Sequence, residues 1–530
     1  MKDNIVYIYD TTLRDGEQAE GIAYSLKDKI KIAEILDDFG IDYIEGGWPG
    51  SNPKAVAFFK EMKKIKLKKS RLSAFGSTRH AKNKPEEDEN LIAILDAKTP
   101  TVAIFGKTWD LHVKEALRVD FDTNLKMINE SVKFLKKNKK EVIYDAEHFF
   151  DGYKANPEYA MKTLEAAVDG GADTIALCDT NGGTMVTEFR EIIEQVKKTF
   201  PGIAIGIHAH NDCGLAVANS LMAIHCGANH VQGTINGFGE RCGNADLIQI
   251  IPSIILKYKK HCSSEGRLKD LTRLSHSVSE ISNLIPDPRQ PYVGRMVFTH
   301  KGGIHVSAVM RNPRTYENIP PELVGNRRRV LVSELSGKSN VQFKAEEFGI
   351  NFEQLGSEAQ QLLKEIKKME NEGYQLEIAE GSFEIMVRRA VKKFAPFFDL
   401  LGFRVIIEKR GPQEPCLSEA TIKVKIGEKL RHTASEGSGP INALDNALRK
   451  ALERDYPEIK KVRLSDYKVR VVDPEEATAA HVRVLINSTD GKKDWGTMGV
   501  SENIVEASWQ ALVDSVEYYL LKQKEPSKPS

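Results

Sequence analysis

Two histidines separated by a single residue, His208 and His210, are the part of this chain best suited to chemistry. They end a short apolar run, AIGIHAH, and residues two apart on a strand point to the same face. A single histidine here would more often be hydrogen-bonded in the core, but two imidazoles on one face can bind one divalent ion. The pair therefore predicts a metal site.

A second candidate group follows the first apolar run of the chain, Ile5–Tyr9. The stretch continues as DTTLRDGEQ and brings Asp15 to the end of this run. Asp15 would add a carboxylate to the two imidazoles, and Asn244, far along the chain, could add an amide oxygen. Such a mixed nitrogen and oxygen set suits Mg²⁺, Mn²⁺, Co²⁺ or Zn²⁺, and the ligand types alone do not decide among them. We expect Mg²⁺ or Mn²⁺, with Co²⁺ or Zn²⁺ as alternatives.

These ligands would leave room for substrate oxygens on the ion. A 2-oxo acid has adjacent oxygens that fit this arrangement, and the metal would polarise its carbonyl group as a Lewis acid. Arg14, beside Asp15 in the sequence, could hold the negative charge that develops on that oxygen. The alternative for Arg14 is a salt bridge to Asp10 or Glu17.

Short β-rich runs alternate with amphipathic helical patterns as far as about Lys259, and these elements must position the polar residues. One helical segment starts with an N-cap at Ser25 and stops at Gly40. Eight strands, each followed by a helix, predict a (β/α)₈ barrel, an α/β fold. A doubly wound open sheet is the alternative, but no GxGxxG turn follows the first strand. The strand-like runs are IVYIYD, YIEGG, RLSAFG, TVAIFG, EVIYDAE, TIALCDT, AIGIHAH and HVQGTING.

Polar residues collect at the predicted carboxyl ends of six of these eight strands, where the active site of such a barrel lies. A surface loop would not require this coincidence, so the charged end of the first strand is predicted to be an active-site wall. The residues are Arg14, Asp15 and Gln18, then Glu45, then Asp145, Glu147 and His148, then Asp179–Asn181, then His208 and His210, and last the stretch NGFGERCGNADL.

The rest of the chain suggests further domains, as expected for 530 residues. We predict a barrel at 1–262, a linker with helical subdomains at 263–389, an α+β domain at 390–522 and a disordered tail at 523–530. Within 390–522, PINALDNAL resembles IVEASWQAL, and each follows a strand pattern and a glycine-bearing loop. Two β-β-α-like units suggest a pseudo-symmetric binding domain or a plain dimerisation domain, and the pattern alone does not decide between them.

The overall composition excludes several classes of protein. Lys+Arg 76 and Asp+Glu 75 nearly cancel, so no overall positive field favours nucleic acid or an anionic membrane. The sequence contains no secretory signal pattern and no apolar run long enough to span a bilayer. The six cysteines are scattered without a CxxC pair, which argues against a disulfide framework and fits a reducing cytoplasm.

Three motifs together resemble the metal-dependent, Claisen-condensing acyltransferases of the 2-isopropylmalate synthase family, which also contains homocitrate and citramalate synthases. They are DTTLRDGEQ, HAHND and NGFGERCGNADL, and they occur in the family's order. KGGIHVSAV and TYENIPPELVG are similar to the segments that carry a catalytic histidine and a tyrosine in that family. The C-terminal duplication resembles its amino-acid-sensing regulatory domain.

The resemblance implies a role for each candidate residue and acetyl-CoA as co-substrate. It assigns the metal to Asp15, His208, His210 and Asn244, the oxo acid to Arg14, Gln18 and Thr180, and catalysis to Arg14, Glu147, His305 and Tyr316. His305 and Tyr316 would help to activate the acetyl methyl group. In the family this histidine comes from the partner subunit, so the resemblance implies a homodimer.

The loop EGGWPGSNP after the second predicted strand points to the oxo acid. It resembles one group of citramalate synthases, whose substrate is pyruvate and whose product leads to isoleucine. A larger oxo acid, as in 2-isopropylmalate or homocitrate synthases, is the alternative. A lyase similar to the hydroxymethylglutaryl-CoA lyases would use a cysteine in a Gly-rich loop near the last strand, and Cys242 lies near such a place. The C-terminal domain would then have no evident role. A non-enzymatic regulator that binds an amino acid would lack one or more metal ligands, whereas all four candidate ligands are present.

The C-terminal repeats also suggest where a regulator would bind. The loops Ser435–Pro440 and Gly499–Ile504 lie ahead of matched helices, and amide groups at helix N-termini suit a carboxylate. We expect a feedback amino acid there, isoleucine or else leucine. The candidate residues are Gly437, Gly439, Gly499, Ser501 and Asn503.

Overall fold

The computed structural model describes residues 4–331, 358–376, 378–390, 394–472 and 480–524. The chain forms two compact units. The first unit comprises Met1–Phe298 and Ile319–Arg327, and the second comprises Thr299–Asn318 and Arg328–Ser530. No helix among the described residues is both long and apolar enough to cross a membrane.

The first unit is a closed barrel of parallel strands in sequential order, with the last strand pairing with the first. This confirms the predicted (β/α)₈ barrel and excludes the open sheet. The strands are β1 Tyr7–Asp10, β2 Tyr43–Glu45, β3 Arg71–Ser77, β4 Thr101–Lys107, β5 Glu141–Glu147, β6 Thr174–Asp179, β7 Ala204–Ala209 and β8 His230–Gly233. The helices are α1 Leu26–Phe39, α2 Pro53–Met62, α3 Glu89–Asp96, α4 Asp110–His112, α5 Phe121–Lys137, α6 Phe149–Ala155, α7 Pro157–Asp169, α8 Val186–Thr199, α9 Ala216–His225, α10 Leu247–Pro252 and α11 Leu271–Ile281.

The ends of α1 show why the sequence folds as it does here. Ser25 and Asp28 form a capping box at the N-terminus, and Gly40 ends the helix in the left-handed region with φ 93°. A Cβ atom at Gly40 would lie 2.8 Å from the carbonyl oxygen of Ser263, so glycine is required there for space as well. Both ends agree with the sequence prediction.

The barrel has two apolar layers. Residues that point outward from the strands, such as Ile8, Ile44 and Ile207, pack against the helices in a large buried cluster. Residues that point inward form a smaller cluster of Tyr9, Tyr43, Phe75, Ala103, Ile143 and Ala176. This inner cluster fills part of the barrel interior, and polar side chains occupy the carboxyl ends of the strands.

Short elements follow the barrel. They are β9 Thr299–His300, α12 Gly303–Arg311, β10 Arg329–Val330, α13 Glu358–Asn371 and α14 Glu380–Ala390. Helix α13 lies within the region 263–389 that the sequence predicts to be a linker with helical subdomains. Most of the predicted helical linker between β10 and α13 lies outside the described residues.

The C-terminal part of the second unit contains two similar halves. One half has the antiparallel strands β11 Asp399–Glu408, β12 Leu417–Ile426 and β13 Lys429–Gly437 and the helix α15 Pro440–Leu452. The other has β14 Arg463–Val471, β15 Val482–Thr489 and β16 Asp494–Ser501 and the helix α16 Ile504–Lys524. Each repeat therefore has three strands where the sequence suggested two. The third strands are β13 and β16, which include Gly437 and Gly499, the glycines that the sequence analysis placed in loops. Helix α16 also includes the start of the predicted tail, and residues 525–530 lie outside the described part.

Candidate active site

Three buried side chains meet at the carboxyl ends of β1 and β7. Asp15 Oδ2 lies 3.2 Å from His208 Nε2 and 4.0 Å from His210 Nε2. The two Nε2 atoms are 3.3 Å apart, and one potential ligand atom from each of the three residues lies within 4.8 Å of the others. The structure thus brings together the two histidines and the aspartate that the sequence analysis predicted to share one metal site.

Asn244 lies next to this cluster in the fold because it forms an isolated bridge with His210. Its Nδ2 donates to the carbonyl oxygen of Phe238 at 3.1 Å, whereas its buried Oδ1 has no hydrogen-bond partner in the described part of the chain. Gly239 makes this side-chain position possible, since a Cβ there would lie 2.1 Å from Asn244 Nδ2. A buried oxygen without a donor is suited to a cation.

The donor set therefore fits a divalent cation, with two imidazoles, a carboxylate and a free amide oxygen. Burial alone would raise the pKa of Asp15, but the Arg14 guanidinium and both imidazoles lower it well below its usual range. Burial and the neighbouring His208 lower the pKa of His210 to about 4. Asp15 is thus charged and His210 neutral at pH 7, the states that bind a metal.

Arg14 is held from three sides. Its Nε donates to Glu45 Oε1 at 2.5 Å, its Nη1 lies 3.3 Å from Asp15 Oδ2, and its guanidinium carbon lies 3.9 Å from the centre of the Phe75 ring. Burial would lower the pKa of Arg14, but Glu45 and Asp15 raise it above its ordinary value. The group is therefore a fixed positive charge beside the candidate metal ligands.

The alternative partners suggested for Arg14 are engaged elsewhere. Glu17 accepts from the ammonium groups of Lys29 at 2.8 Å and Lys54 at 2.6 Å, and Lys29 is only 1% exposed. Asp10 accepts from the backbone and hydroxyl groups of Thr12. The turn after β1 is thus anchored by its own ion pairs.

Gln232 joins two polar residues of the barrel, and sequence reasoning assigned this glutamine no role. Gln232 on β8 connects His208 Nδ1, 3.0 Å away, to Asp145 Oδ1, 2.8 Å away. Burial and the charge of Glu45 raise the pKa of Asp145 to about 7. The available signal was a glutamine inside the otherwise buried strand HVQG.

The other predicted site residues of the barrel, whether catalytic or substrate-binding, lie at the carboxyl ends of β5 and β6 and in the turn after β1. Glu147 forms a close ion pair with Lys107 at the end of β4, which the sequence analysis did not single out. The hydroxyl of Thr180 accepts from the backbone N–H of His148 at 2.9 Å. Gln18 ends a short 3₁₀ turn and is exposed. Cys242, on which the lyase alternative depends, is also exposed.

Aromatic side chains line one side of the same region. Phe75 and Phe105 stack at 5.5 Å, and Trp48 contacts both edge-on at 5.9 and 5.5 Å between ring centres. Trp48 Nε1 donates to Asn90 Oδ1 at 2.7 Å, which fixes the indole. We call Trp48, Phe75 and Phe105 the aromatic wall. Because Phe75 stacks on Arg14, the wall borders the oxyanion-binding position expected there.

His305 and Tyr316 belong to the second unit. Their rings contact each other with centres 4.4 Å apart, and both residues are exposed. His305 lies on α12 and Tyr316 follows a short 3₁₀ turn. The two residues thus form a pair, and their part in the barrel site stays a prediction.

The five regulatory candidates lie at the two repeat helices. A Cβ at Gly437 would lie 2.3 Å from the backbone nitrogen of Ala443, and one at Gly499 would lie 2.0 Å from the carbonyl oxygen of Ala507. These two glycines allow strand and helix to pack closely. Gly439 precedes α15, which has no side-chain cap.

At the other helix the candidate side chains are used locally. Asn503 Oδ1 accepts from the backbone N–H groups of Val505 at 2.8 Å and Glu506 at 3.3 Å. Ser501 Oγ accepts from the backbone N–H of Asn503 at 3.1 Å. The first turn of α16 is therefore capped by the protein itself.

Comparison with known proteins divides the chain into three regions. The family described as HMGL-like matches residues 5–278, the homocitrate synthase post-HMGL domain-like family matches residues 292–374, and the LeuA allosteric (dimerisation) domain matches residues 377–520.

Full-length relatives give a finer comparison. An (R)-citramalate synthase of Geobacter sulfurreducens is 58% identical over 98% of this chain and 99% of its own length. One of Aquifex aeolicus is 54% identical over 98% of both chains. A 2-isopropylmalate synthase of Methanocaldococcus jannaschii is 30% identical over 98% of this chain and 95% of its own. The chain therefore belongs to the HMGL-like family and, within it, groups with the (R)-citramalate synthases.

Proposed function

We propose that this protein condenses acetyl-CoA with pyruvate and hydrolyses the thioester, forming (R)-citramalate and free CoA on the route to isoleucine. The observation that carries the proposal is the full-length similarity to proteins described as (R)-citramalate synthase, at 58% and 54% identity. The free thiols of all six cysteines fit a reducing compartment, and we assign the reaction to the cytoplasm.

Asp15, His208, His210 and Asn244 would hold the divalent ion, with Mg²⁺ or Mn²⁺ as our first choice and Co²⁺ or Zn²⁺ as alternatives. When bound, the ion supplies Lewis acidity to the carbonyl group of the oxo acid. The buried, unpartnered Oδ1 of Asn244 supports its place in this set.

Arg14 would bind the same carbonyl oxygen as negative charge develops on it. Its guanidinium is already oriented by Glu45 and by the Phe75 ring, so little reorganisation is needed during the reaction. Thr180 and the exposed Gln18 would bind the carboxylate end of the oxo acid.

The aromatic wall supports a small oxo acid. Three large rings in mutual contact leave little room to adapt, and the hydrogen bond from Trp48 to Asn90 holds the indole in place. We expect the methyl group of pyruvate to lie beside this surface and the larger isopropyl group of 2-oxoisovalerate to bind less well there. This favours pyruvate over the larger substrates of the sister synthases.

The acetyl methyl group must lose a proton before it attacks the carbonyl carbon, and this requires a base. In the barrel the two histidines at the site are assigned to the metal. His305, whose ring contacts that of Tyr316, would act as this base from the partner subunit of a homodimer. Glu147, which forms an ion pair with Lys107, would be a further catalytic residue of the site. The exposure of both His305 and Tyr316 is compatible with this use.

The C-terminal repeats would bind the feedback amino acid, isoleucine or else leucine. The match to the LeuA allosteric (dimerisation) domain over residues 377–520 supports both regulation and a dimer. Of the two repeat helices, α15 has no side-chain cap, so its first amide groups are better placed than those of α16 to meet a carboxylate.

Thiol release from acetyl-CoA tests the proposed reaction directly. The assay would compare pyruvate, 2-oxobutyrate, 2-oxoisovalerate and 2-oxoglutarate, with the carbon product identified by mass spectrometry. We expect pyruvate to give the highest kcat/KM and citramalate to be formed. Release with 2-oxoisovalerate or 2-oxoglutarate alone would replace pyruvate by a larger substrate, and no release with any oxo acid would refute the synthase.

A further inference from the structure

Three buried side chains form a hydrogen-bonded relay behind the histidine pair. His208 Nδ1 contacts Gln232 Oε1 at 3.0 Å, and Gln232 Nε2 donates to Asp145 Oδ1 at 2.8 Å. Gln232 is completely buried and Asp145 is 4% exposed. The proposed reaction uses neither residue.

Packing does not explain these residues. The adjacent inner cluster is apolar, with Ile143 and Ala176 among its members, so apolar side chains can fill this part of the barrel. A buried carboxylate and a buried amide each cost stability unless hydrogen-bonded. Their retention therefore suggests a role in the site.

The relay fixes which nitrogen of His208 carries the proton. Gln232 Nε2 donates to Asp145, so the amide N–H₂ points towards Asp145 and the amide oxygen points towards His208. An amide oxygen only accepts, so Nδ1 of His208 must be protonated. In the neutral ring the lone pair then lies on Nε2, the atom that faces Asp15 at 3.2 Å and His210 at 3.3 Å.

We infer that Gln232 and Asp145 are positioning residues that hold His208 in the tautomer and ring orientation needed to bind the metal. The inference rests on the proposed function only for the presence of a divalent ion at Asp15 and the histidines. Removing a hydrogen-bond partner of a metal-binding histidine typically weakens metal binding by about 10–100-fold.

The test is a calorimetric titration of the metal-stripped protein with Mn²⁺ in the absence of substrates. Gln232→Leu keeps a similar volume and removes the acceptor, and we expect about 10–100-fold weaker binding. Gln232→Glu places two carboxylates in contact and should also weaken binding. Thermal unfolding of each metal-free variant will show whether it is folded.

A charge-conserving reversal of the relay is the decisive variant. In the double variant Gln232→Glu with Asp145→Asn, the new carboxylate at 232 accepts from His208 Nδ1 and also from the new amide at 145. Total charge and side-chain sizes stay the same, so we expect at least about tenfold of the affinity lost in Gln232→Glu to return. The visible absorption of bound Co²⁺ should likewise return to that of the parent protein.

Gln195→Leu on the exposed face of α8 is the matched control and should bind Mn²⁺ as the parent does. Equal affinity in the parent and Gln232→Leu, or a double variant no better than Gln232→Glu, would overturn the inference while leaving the synthase intact. A parent protein that turns over substrates but binds no divalent ion would overturn the metal assignment itself.

Discussion

The carboxyl end of the barrel and the helix ends of the C-terminal repeats differ in whether their polar side-chain atoms have hydrogen-bond partners. At the barrel, Asn244 Oδ1 and His210 Nδ1 are buried without partners among the described residues. At the repeats, Asn503 caps α16, and Asn442 accepts from the backbone of Ser438 ahead of α15. The barrel thus keeps buried lone pairs available, whereas these two asparagine oxygens of the repeats are hydrogen-bonded locally.

This difference explains why the two regions reveal different amounts about function. A buried oxygen without a donor costs stability, so its presence points to a ligand of opposite charge. The capped end of α16 costs nothing and indicates no particular ligand, and the end of α15, which has no side-chain cap, does not by itself identify one. The barrel therefore specifies a chemistry, whereas the repeats specify only a fold, and their proposed regulatory role rests on the match to the LeuA allosteric (dimerisation) domain.

The largest expected effect is at the barrel. Asp15→Ala or His208→Ala should abolish most Mn²⁺ binding and lower kcat/KM by at least about 10³-fold, because each removes a charge or a lone pair from the cluster. Calorimetry and the thiol-release assay measure the two quantities. His225→Ala, at an exposed histidine on α9, should change neither. Normal turnover by metal-stripped protein would contradict the contrast between the two regions.

The next effect concerns a residue outside the barrel unit. His305→Ala should lower kcat by about 10²–10⁴-fold with little change in the KM for pyruvate, because its proposed task is proton abstraction. His432→Ala, at an exposed histidine of β13, serves as control. Mixing His305→Ala with Asp15→Ala subunits should restore activity if the histidine acts across a dimer and subunits exchange. Unchanged kcat with a raised KM would make His305 a binding residue.

The aromatic wall predicts an intermediate effect on selectivity. Trp48→Ala opens space beside the proposed methyl position, and one methylene in such a pocket is worth about 1–3 kcal/mol. We expect the ratio of kcat/KM for 2-oxobutyrate over pyruvate to rise by about tenfold or more. Val56→Ala, at an exposed position on α2, should leave the ratio unchanged. A ratio unaffected by Trp48→Ala would place the substrate methyl elsewhere.

Much of the barrel could be predicted from the sequence because its signals are local. The alternation of strands and helices, the Ser25 and Gly40 caps and the spacing of His208 and His210 each depend on neighbouring residues. Gln232 and Lys107 gained no role because their meaning depends on partners 24 and 40 residues away, respectively. In the repeats, the third strand of each half was missed because Lys429–Gly437 and Asp494–Ser501 combine polar and glycine residues and look like loops.

Two glycines separate packing from binding in the C-terminal repeats. Gly437→Ala should destabilise this region by about 1–3 kcal/mol, because the new Cβ would lie 2.3 Å from the backbone nitrogen of Ala443. Gly439→Ala meets no atom within 4 Å and should leave stability nearly unchanged. Denaturant unfolding followed at Trp495 measures the first effect. If Gly439→Ala nevertheless weakened inhibition by isoleucine, the amide groups ahead of α15 would be implicated in binding.

The last effects are those of pH on stability, and they have opposite signs in the two units. In the barrel, burial lowers the pKa of His230 to about 3, and its ring contacts those of Tyr9 and Tyr43. Between pH 6.5 and 3 the unfolded chain binds a proton that the folded chain does not. The free energy of unfolding therefore falls as pH falls, by about 1.4 kcal/mol per pH unit from this group.

In the second unit, burial raises the pKa of Glu517 to about 7 although Arg389 lies 2.7 Å away. Between pH 4.5 and 7 the folded chain holds a proton that the unfolded chain releases, so this group lowers the free energy of unfolding as pH rises. His230→Phe should make the unfolding free energy less sensitive to acid, and Glu517→Gln should reduce its loss towards pH 7. Urea unfolding of the parent and both variants at pH 5, 6 and 7 measures how the free energy of unfolding changes with pH. If both substitutions changed this slope in the same direction, one of the two groups would not be buried in its proposed charge state.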